Sequence, residues 1–270
     1  MRFVTFDAGR GPRAGILRGG DRVVEAGESL RALIAVSRLA EPPDAEEIPL
    51  SEVQLLPPIP NPDKIICIGL NYRSHAAEAG VEAPEIPTFF AKFRNALVPS
   101  GSQVQLPAAS QKVDYEAEVA FVVGPHTAKN VSVEDALDYV AGYMLLNDLS
   151  ARDLQFATPQ WIPGKVFDGS APCGPALVTP DEAGPPDAIE IELKLNGEVM
   201  QSASTADLIH PIPALVSHLS TLMTLEPGDI VSTGTPAGVG SVREPRVWLG
   251  PGDEIEINSP TLGTLRTSLI

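Results

Sequence analysis

Two glutamates, Glu116 and Glu118, lie two residues apart in the otherwise apolar stretch KVDYEAEVAFVVG, residues 112–124. Because alternate residues of a β-strand face the same way, a strand here places both carboxylates on one face, about 6–7 Å apart. Such like charges disfavour each other's ionisation unless one carboxyl is protonated or a cation lies between them. Carboxylate oxygens suit hard ions such as Mg²⁺, Mn²⁺ or Ca²⁺. The alternative is a strand with a solvated face, which the apolar Ala120 and Val122 on that face weaken.

A third carboxylate, Asp148, ends the apolar run YMLLND at residues 143–148. Standing alone, it would be interpreted as a helix cap for the following segment SARDLQ. Together with the two glutamates it forms a set of three carboxylates with positions left for water and substrate, which is how Mg²⁺ and Mn²⁺ are usually held. The sequence therefore predicts a metal site formed by Glu116, Glu118 and Asp148.

The segment NYRSHAAE, residues 71–78, contains a candidate general base. His75 and Glu78 are three residues apart, so on a helical turn they share a face and the carboxylate can orient the imidazole and raise its basicity. Such a pair can deprotonate water. The alternative is an exposed helix on which the two side chains are only polar neighbours. The remaining histidines show no metal-ligand spacing: His126, His210 and His218.

Two further segments contain groups that can bind an anion. Lys165 in IPGKVFDG, residues 162–169, can bind a substrate carboxylate, stabilise an enolate or form a Schiff base. Its alternative is an ordinary surface lysine. The loop STGTPAGVG contains Gly234 and Thr235, which offer a backbone N–H group and a hydroxyl to an anion. This loop lacks the GxGxxG spacing of a dinucleotide site.

Many short strands and few helices must position these residues, so we expect a mainly β (α+β) protein. The 23 glycines and 27 prolines are scattered without a period, as in a chain with many turns. A proline-rich passage near residues 57–63 predicts a small N-terminal αβ domain, residues 1–60, and a catalytic domain, residues 61–270. The Asn-Gly pair in IEIELKLNGEVMQS predicts a β-hairpin.

Helical patterns occur in four segments. SVEDALDYVAGY, residues 132–143, opens with a serine and has an aspartate three residues later, close to a capping box. PIPALVSHLSTLMTL, residues 211–225, has apolar residues at helical spacing. We also expect a short helix in SLRALIAVSRLA, residues 29–40, and another within a mobile loop at residues 71–87.

Composition limits the partners. The net charge of −16 argues against nucleic acids and anionic membranes. Residues 1–17 lack the apolar stretch of a signal peptide, and no segment has transmembrane length, so we expect a cytoplasmic protein. The two cysteines, Cys67 and Cys173, are interpreted as reduced thiols. An anionic substrate would need local positive potential, which a metal ion and a few basic residues can supply.

Five motifs, in this order, resemble the fumarylacetoacetate hydrolase family: GLNYRSHAAE, DYEAEVAFVVG, NDLSARDLQ, GKVFDGSAPCGP and LEPGDIVSTGTPAGVG. They span residues 65–240, and the first segment of the chain resembles the small N-terminal domain of bacterial members. The resemblance implies a mixed β-roll or β-sandwich catalytic domain and a homodimer. It also implies Mg²⁺ or Mn²⁺ at Glu116, Glu118 and Asp148, with Ca²⁺ as a further candidate, and a small 2-oxo or 2,4-dioxo acid that chelates the ion.

The resemblance also implies roles for the other candidate residues. His75 and Glu78 would lie on a lid over the substrate, and Lys165 would lie beside the metal. The implied substrate-binding residues are Arg152, Gln155, Gly234 and Thr235. Many relatives have Ser-Phe-Asp-Thr after the lysine where this chain has VFDG, so Gly169 removes a hydroxyl from that stretch.

The leading hypothesis is hydrolysis of a C–C bond in an acylpyruvate-type 2,4-dioxo acid. The metal and Lys165 would stabilise the departing enolate, and His75, oriented by Glu78, would deprotonate the attacking water. The alternative is a lyase or isomerase at the same site: an oxaloacetate-type decarboxylase, a 2-hydroxyhepta-2,4-diene-1,7-dioate isomerase, or a 2-oxo acid hydratase or dehydratase. A third hypothesis is a binding protein without chemistry, which the intact candidate residues oppose.

Overall fold

The computed structural model describes residues 1–39 and 46–270. Within these residues the strands are β1 (Arg2–Asp7), β2 (Pro12–Arg18), β3 (Arg22–Gly27), β4 (Glu47–Pro49), β5 (Gln54–Leu56), β6 (Ile65–Gly69), β7 (Thr88–Lys92), β8 (Leu97–Pro99), β9 (Ser102–Val104), β10 (Val113–Asp114), β11 (Ala117–Val123), β12 (Val140–Asn147), β13 (Ser150–Ala151), β14 (Ala171–Val178), β15 (Glu190–Leu195), β16 (Glu198–Ser204), β17 (Ile230–Ser232), β18 (Glu254–Ser259) and β19 (Gly263–Leu269). The α-helices are α1 (Leu30–Ala35), α2 (Arg73–Ala79), α3 (Arg152–Gln155), α4 (Pro180–Ala183) and α5 (Ile212–Leu222). This mainly β composition confirms the predicted fold class.

A mixed sheet of 12 strands forms the centre of the molecule. Its order is β4-β3-β2-β1-β14-β12-β11-β17-β6-β7, with β5 paired to β1 and β8 paired to β14. Most neighbours are antiparallel, whereas β6 with β17 and β8 with β14 are parallel. The N-terminal strands continue the larger sheet through the antiparallel pair of β1 and β14. We propose residue 60 as the end of the N-terminal domain, which then contains β1–β5 and α1.

A second sheet covers one face of the first and makes a sandwich. Its five strands have the order β16-β15-β18-β19-β9, and it packs on the large sheet where β15 meets β11 and β19 meets β14. Strand β11 is buried on both faces: Val119 and Phe121 belong to one apolar cluster, and Ala120 and Val122 to another. The face that carries Glu118 is therefore buried, and the alternative of a solvated strand face is wrong.

Of the helix predicted over residues 132–143, only a short 3-10 helix forms. Ser132 does make the expected contact, since its hydroxyl accepts a hydrogen bond from the backbone N–H of Asp135 at 3.2 Å. Residues Ala136–Tyr139 then form a short 3-10 helix, and β12 begins at Val140. Pairing of β12 with β11 and β14 overrides the local helical pattern, because it buries every residue of this β-strand.

The other predicted elements are found. Helix α5 lies within the helical pattern at residues 211–225. The hairpin of β15 and β16 turns at Asn196 and Gly197, whose φ values of 51° and 85° fit the type I′ turn that an Asn-Gly pair favours. Helix α1 is shorter than the predicted segment, and residue 40 of that segment lies outside the described residues. Across the described ranges, no helix combines the length and the apolar character needed to cross a bilayer.

Candidate metal and substrate site

The three predicted metal ligands meet because of the register between β11 and β12. Ala117 pairs with Asn147 in this antiparallel ladder, and the backbone N–H of Asp148 donates to the carbonyl oxygen of Glu116 at 2.9 Å. Asp148 therefore lies opposite Glu116, and Glu118 lies on the same side. One carboxylate oxygen from each of the three residues lies within 4.8 Å of the others, and all three residues are buried.

Buried cations partly neutralise these carboxylates. Lys165 Nζ lies 2.7 Å from Glu116 Oε2 and 2.9 Å from Asp148 Oδ2. Lys92 Nζ lies 2.6 Å from the other oxygen of Asp148, and Arg152 Nη1 lies 2.7 Å from Glu116 Oε1. Only 2% of the Lys165 surface is exposed, so its interpretation as a surface lysine is wrong.

The protonation state of Lys165 follows from its contacts with Glu116 and Asp148. Burial lowers the pKa of its amine, but Asp148 and Glu116 outweigh burial and raise the pKa above its usual value. The side chain is therefore an ammonium that donates hydrogen bonds, which disfavours the Schiff-base role. Gly164 allows this position: a Cβ on this glycine would lie 2.4 Å from the carbonyl oxygen of Ala151 and 2.5 Å from the backbone nitrogen of Gln155.

The pKa values of the two glutamates are shifted in opposite directions. Burial raises the pKa of Glu116, but the charges of Arg152 and Lys165 outweigh burial and lower it to about 2. Burial raises the pKa of Glu118 well above its usual value, and the negative charges of Asp148 and Glu116 raise it further. Repulsion within the carboxylate set is therefore concentrated on Glu118.

The donor set fits a hard divalent cation. It consists of carboxylate oxygens, and a divalent ion among them would relieve the repulsion that raises the pKa of Glu118. Both the Ser232 hydroxyl and the Gly234 amide, the latter at 3.0 Å, donate to Oε2 of Glu118, which fixes this side chain. Gly234 thus supports a metal ligand from behind rather than lining the cavity in front of it.

Arg152 connects the metal ligands with the predicted substrate contacts. Its Nε donates to Asp114 Oδ2 at 2.9 Å, and its Nη1 donates to Gln155 Oε1 at 3.0 Å. Asp114 also accepts hydrogen bonds from the amides of Gly240 and Ser241. The Arg152 guanidinium at the start of α3 and the loop after β17 are therefore held by the same carboxylate, that of Asp114.

Helix α2 places the predicted dyad at this site. His75 Nδ1 and Glu78 Oε2 are 3.4 Å apart, as the spacing of three residues predicts. The Glu78 carboxylate also accepts hydrogen bonds from the amide of Gly238, at 3.0 and 3.1 Å, and so ties α2 to the glycine loop. The imidazole is thus directed by a carboxylate that is itself fixed, as a general base requires.

A cavity of about 520 Å³ opens above the carboxylates. Seven candidate residues line it: His75, Glu116, Glu118, Arg152, Gln155, Lys165 and Thr235. Three candidates do not line it: Asp148 is enclosed by Lys92 and Lys165, Gly234 donates to Glu118, and Glu78 orients His75 from outside the lining. Gly169 does not line the cavity either; a Cβ there would meet Val104 at 3.2 Å.

Two family models match this chain. Residues 64–270 match the family model described as fumarylacetoacetate (FAA) hydrolase, C-terminal, and residues 1–58 match the model described as Rv2993c-like, N-terminal. The chain belongs to the fumarylacetoacetate hydrolase family. It is an enzyme of that superfamily, whose members include tautomerases, isomerases and hydrolases.

Three similar proteins show the range of this family. The chain is 38% identical to the Bos taurus protein named oxaloacetate tautomerase FAHD2A, mitochondrial, over all of this chain and 92% of the bovine protein. The structure of fumarylacetoacetate hydrolase from Exiguobacterium antarcticum matches with a TM-score of 0.90 and 32% identity, covering 100% of this chain and 99% of that one. The structure of 5-carboxymethyl-2-hydroxymuconate delta-isomerase from Mycobacterium smegmatis matches with a TM-score of 0.83 and 34% identity, covering 100% and 98%.

Sequence reasoning missed two charged residues of this candidate site. Lys92 lies at the end of the strand FFAK and contacts Asp148 across the fold. Its signal was a lysine in an apolar strand, the same kind of misfit that identified Asp148. Asp114 lies in the stretch that contains the two glutamates, yet its partner Arg152 is 38 residues away, a separation that no local pattern reveals.

Proposed function

We propose that the enzyme moves a proton between C3 and the 2-oxo oxygen of a small 2-oxo acid, as a tautomerase or isomerase. The observation that carries this proposal is the position of the Lys165 ammonium, which lies between two of the carboxylates and lines the same cavity as His75. One cavity thus combines a proton acceptor with a fixed positive charge for an enolate.

A bound Mg²⁺ or Mn²⁺, held by Glu116, Glu118 and Asp148, would polarise the 2-oxo group and acidify the hydrogens on C3. His75 takes the C3 proton on Nε2, because its Nδ1 faces Glu78. The electron pair of the broken C–H bond forms the C2–C3 double bond, and negative charge collects on the former 2-oxo oxygen. Lys165 stabilises this charge, and return of the proton to oxygen gives the enol.

The substrate's carboxylate needs its own positive partner. Arg152 and Gln155 line the cavity beside Lys165 and offer a guanidinium and an amide to an anion. These side chains hold each other at 3.0 Å, so their orientation is fixed before a substrate arrives. The predicted role of Thr235 stays a proposal: the residue lines the cavity, and its hydroxyl accepts a hydrogen bond from Gln201 at 2.8 Å.

The names of the relatives support this alternative over the leading hydrolase hypothesis. Two of the three similar proteins are named as a tautomerase and a delta-isomerase, and both names describe enzymes that catalyse isomerisations. Hydrolysis of an acylpyruvate is the second candidate, because the His75–Glu78 pair at 3.4 Å can equally deprotonate water. A homodimer acting on a small acid in the cytoplasm stays part of the proposal.

The decisive experiment follows the conversion of enol-oxaloacetate to its keto form by ultraviolet absorbance, with Mg²⁺ present. We expect acceleration by the wild-type enzyme and a loss of at least about 100-fold in Lys165→Met, since an ammonium that stabilises the enolate is worth several kcal/mol. Acetylpyruvate is tested in parallel for release of acetate and pyruvate. Cleavage of acetylpyruvate without any enol conversion would replace the proposal by the hydrolase.

A further inference from the structure

Two cations at the mouth of the cavity lie outside the catalytic cluster. Lys112 and Arg246 both line the cavity, and both are exposed, whereas Glu116 and Glu118 at its floor are buried. Neither cation forms a side-chain hydrogen bond or an ion pair with any residue in the ranges 1–39 and 46–270. The floor and the mouth of this cavity thus differ: the floor cations are engaged by carboxylates, and the mouth cations are free.

The backbone ties the segments that carry these two cations to Arg152 and to each other. The carbonyl oxygen of Lys112 accepts a hydrogen bond from the backbone N–H of Arg152 at 2.9 Å. The next carbonyl, of Val113, accepts one from the N–H of Leu249, also at 2.9 Å. The chain three residues after Arg246 is therefore tied to the residue next to Lys112, and both cations line the same cavity.

The charge of the cavity differs from that of the chain. Its lining contains four basic residues (lysine or arginine) and three acidic ones. The whole chain, in contrast, has 19 basic and 35 acidic residues. The one carboxylate at the mouth, Asp153, is occupied by its own loop, since it accepts hydrogen bonds from Ser110, Gln111 and Leu154. The mouth therefore offers positive potential in an acidic protein, which attracts and orients an anion.

We propose that Lys112 and Arg246 bind the distal carboxylate of a 2-oxo dicarboxylic acid whose 2-oxo end lies at the metal ligands. This inference rests on the proposed function, because it assigns the 2-oxo end to the floor. It adds the second charge of the substrate and the residues that select for it.

The size and the walls of the cavity set the distance between the two ends of the acid. A volume of about 520 Å³ is in the range of cavities that enclose ligands much larger than a four-carbon acid. Phe156, Trp161 and Trp248 line the space with aromatic surface. We therefore assign a spacer longer than the single carbon of oxaloacetate, which the apolar walls can contact.

The test compares two acids that share the 2-oxo end and a six-carbon chain: 2-oxoadipate, with a distal carboxylate, and 2-oxohexanoate, without one. Binding is measured by calorimetry with Mg²⁺ present, which needs no turnover. We expect the wild type to bind 2-oxoadipate at least about tenfold more tightly. Lys112→Gln and Arg246→Gln should each weaken the binding of 2-oxoadipate about fivefold, and the double variant should weaken it about twentyfold. The affinity for 2-oxohexanoate should change less than about twofold in all three variants.

A matched control separates a local contact from a change in net charge. Lys129→Gln removes one exposed positive charge that does not line the cavity, and it should leave the binding of both acids unchanged. Equal affinity of the wild type for the two acids, an equal loss for both acids in the variants, or binding of neither acid would overturn the proposal.

Exchange of the C3 hydrogens with D₂O, followed by NMR, distinguishes this proposal from the proposed function. Binding preference without exchange supports the distal site and contradicts the enolisation. Exchange of both acids at equal kcat/KM, without a binding preference, supports the enolisation and overturns the distal site.

Discussion

The ammonium of Lys92 donates a 2.6 Å hydrogen bond to Oδ1 of Asp148, and both side chains are fully buried. Lys165 contacts Oδ2, so each oxygen of this carboxylate has its own cation. Lys92 lies on β7, which is an edge strand of the large sheet. Asp148 directly follows β12, which lies near the centre of that sheet. The folded sheet is thus required to neutralise this candidate metal ligand.

Replacing Lys92 with Met should destabilise the protein when no metal is present. Removing one partner leaves buried negative charge without compensation, and we expect the free energy of unfolding to fall by about 3–5 kcal/mol. Chemical denaturation measures this change. Added Mg²⁺ should recover more stability in Lys92→Met than in the wild type, because the ion then supplies the missing positive charge.

Lys194→Met is the matched control for that prediction. Lys194 lies 3.3 Å from Glu192, and both side chains are more than a third exposed. Such a pair contributes about 0–1 kcal/mol, so the variant should unfold nearly as the wild type does. Equal unfolding free energies for Lys92→Met and the wild type would contradict the structural role of the buried pair.

The affinity for Mg²⁺ should rise with pH because of Glu118. Its pKa is raised well above the usual value in the metal-free protein, by burial and by the charges of Asp148 and Glu116. Below that pKa the carboxyl holds a proton that the ion must displace, so affinity increases with pH and becomes constant above the pKa. Calorimetry in two buffers of different ionisation enthalpy should detect proton release of about one per ion. Binding without proton uptake or release at any pH would exclude this linkage.

His75→Gln should abolish turnover while metal binding is kept. The imidazole lies beside Glu78 at 3.4 Å and is not one of the three ligands, so the variant removes the base alone. We expect kcat to fall by about 10²–10⁴. Glu78→Gln keeps the imidazole and weakens its orientation, so it should lower kcat by a smaller factor. Full turnover of His75→Gln, for enolisation or for hydrolysis, would remove the dyad from the mechanism.

His210, which has no metal-ligand spacing in the sequence, should hold the segment that follows α2. Its Nε2 lies 2.9 Å from the carbonyl oxygen of Pro84, and its backbone N–H donates to Asn71 at 2.8 Å, just before α2. In His210→Ala we expect faster amide exchange in residues 80–87 and a rise of several-fold in KM with a smaller change in kcat. His218→Ala, on α5, is the control and should change neither. Unchanged exchange in residues 80–87 would contradict the anchoring role.

The carboxylate set could be predicted from sequence because its members break local patterns. Glu116, Glu118 and Asp148 are charges within or beside apolar strands, and strand geometry alone places the first two together. Asp148 joins them through the register of β11 and β12, which sequence periodicity does not give.

The remaining parts depend on long-range packing. Lys92 reaches Asp148 from a strand 56 residues earlier, and no spacing rule connects them. The helix expected over residues 132–143 failed for the same reason, since pairing along β12 outweighs a local capping signal. The tertiary structure decides whether a charged residue in an apolar segment is paired, and with which partner.

The most direct test of the central claim is a Mn²⁺ titration followed by electron paramagnetic resonance of the free ion. We expect the wild type to bind one ion per chain, with Mg²⁺ competing for it. Glu118→Gln and Asp148→Asn keep the side-chain size and should bind Mn²⁺ at least about 100-fold more weakly, because each removes a charged oxygen ligand. Glu134→Gln, an exposed acid outside the site, should bind as the wild type does. Wild-type affinity in both ligand variants would show that these carboxylates do not hold the metal.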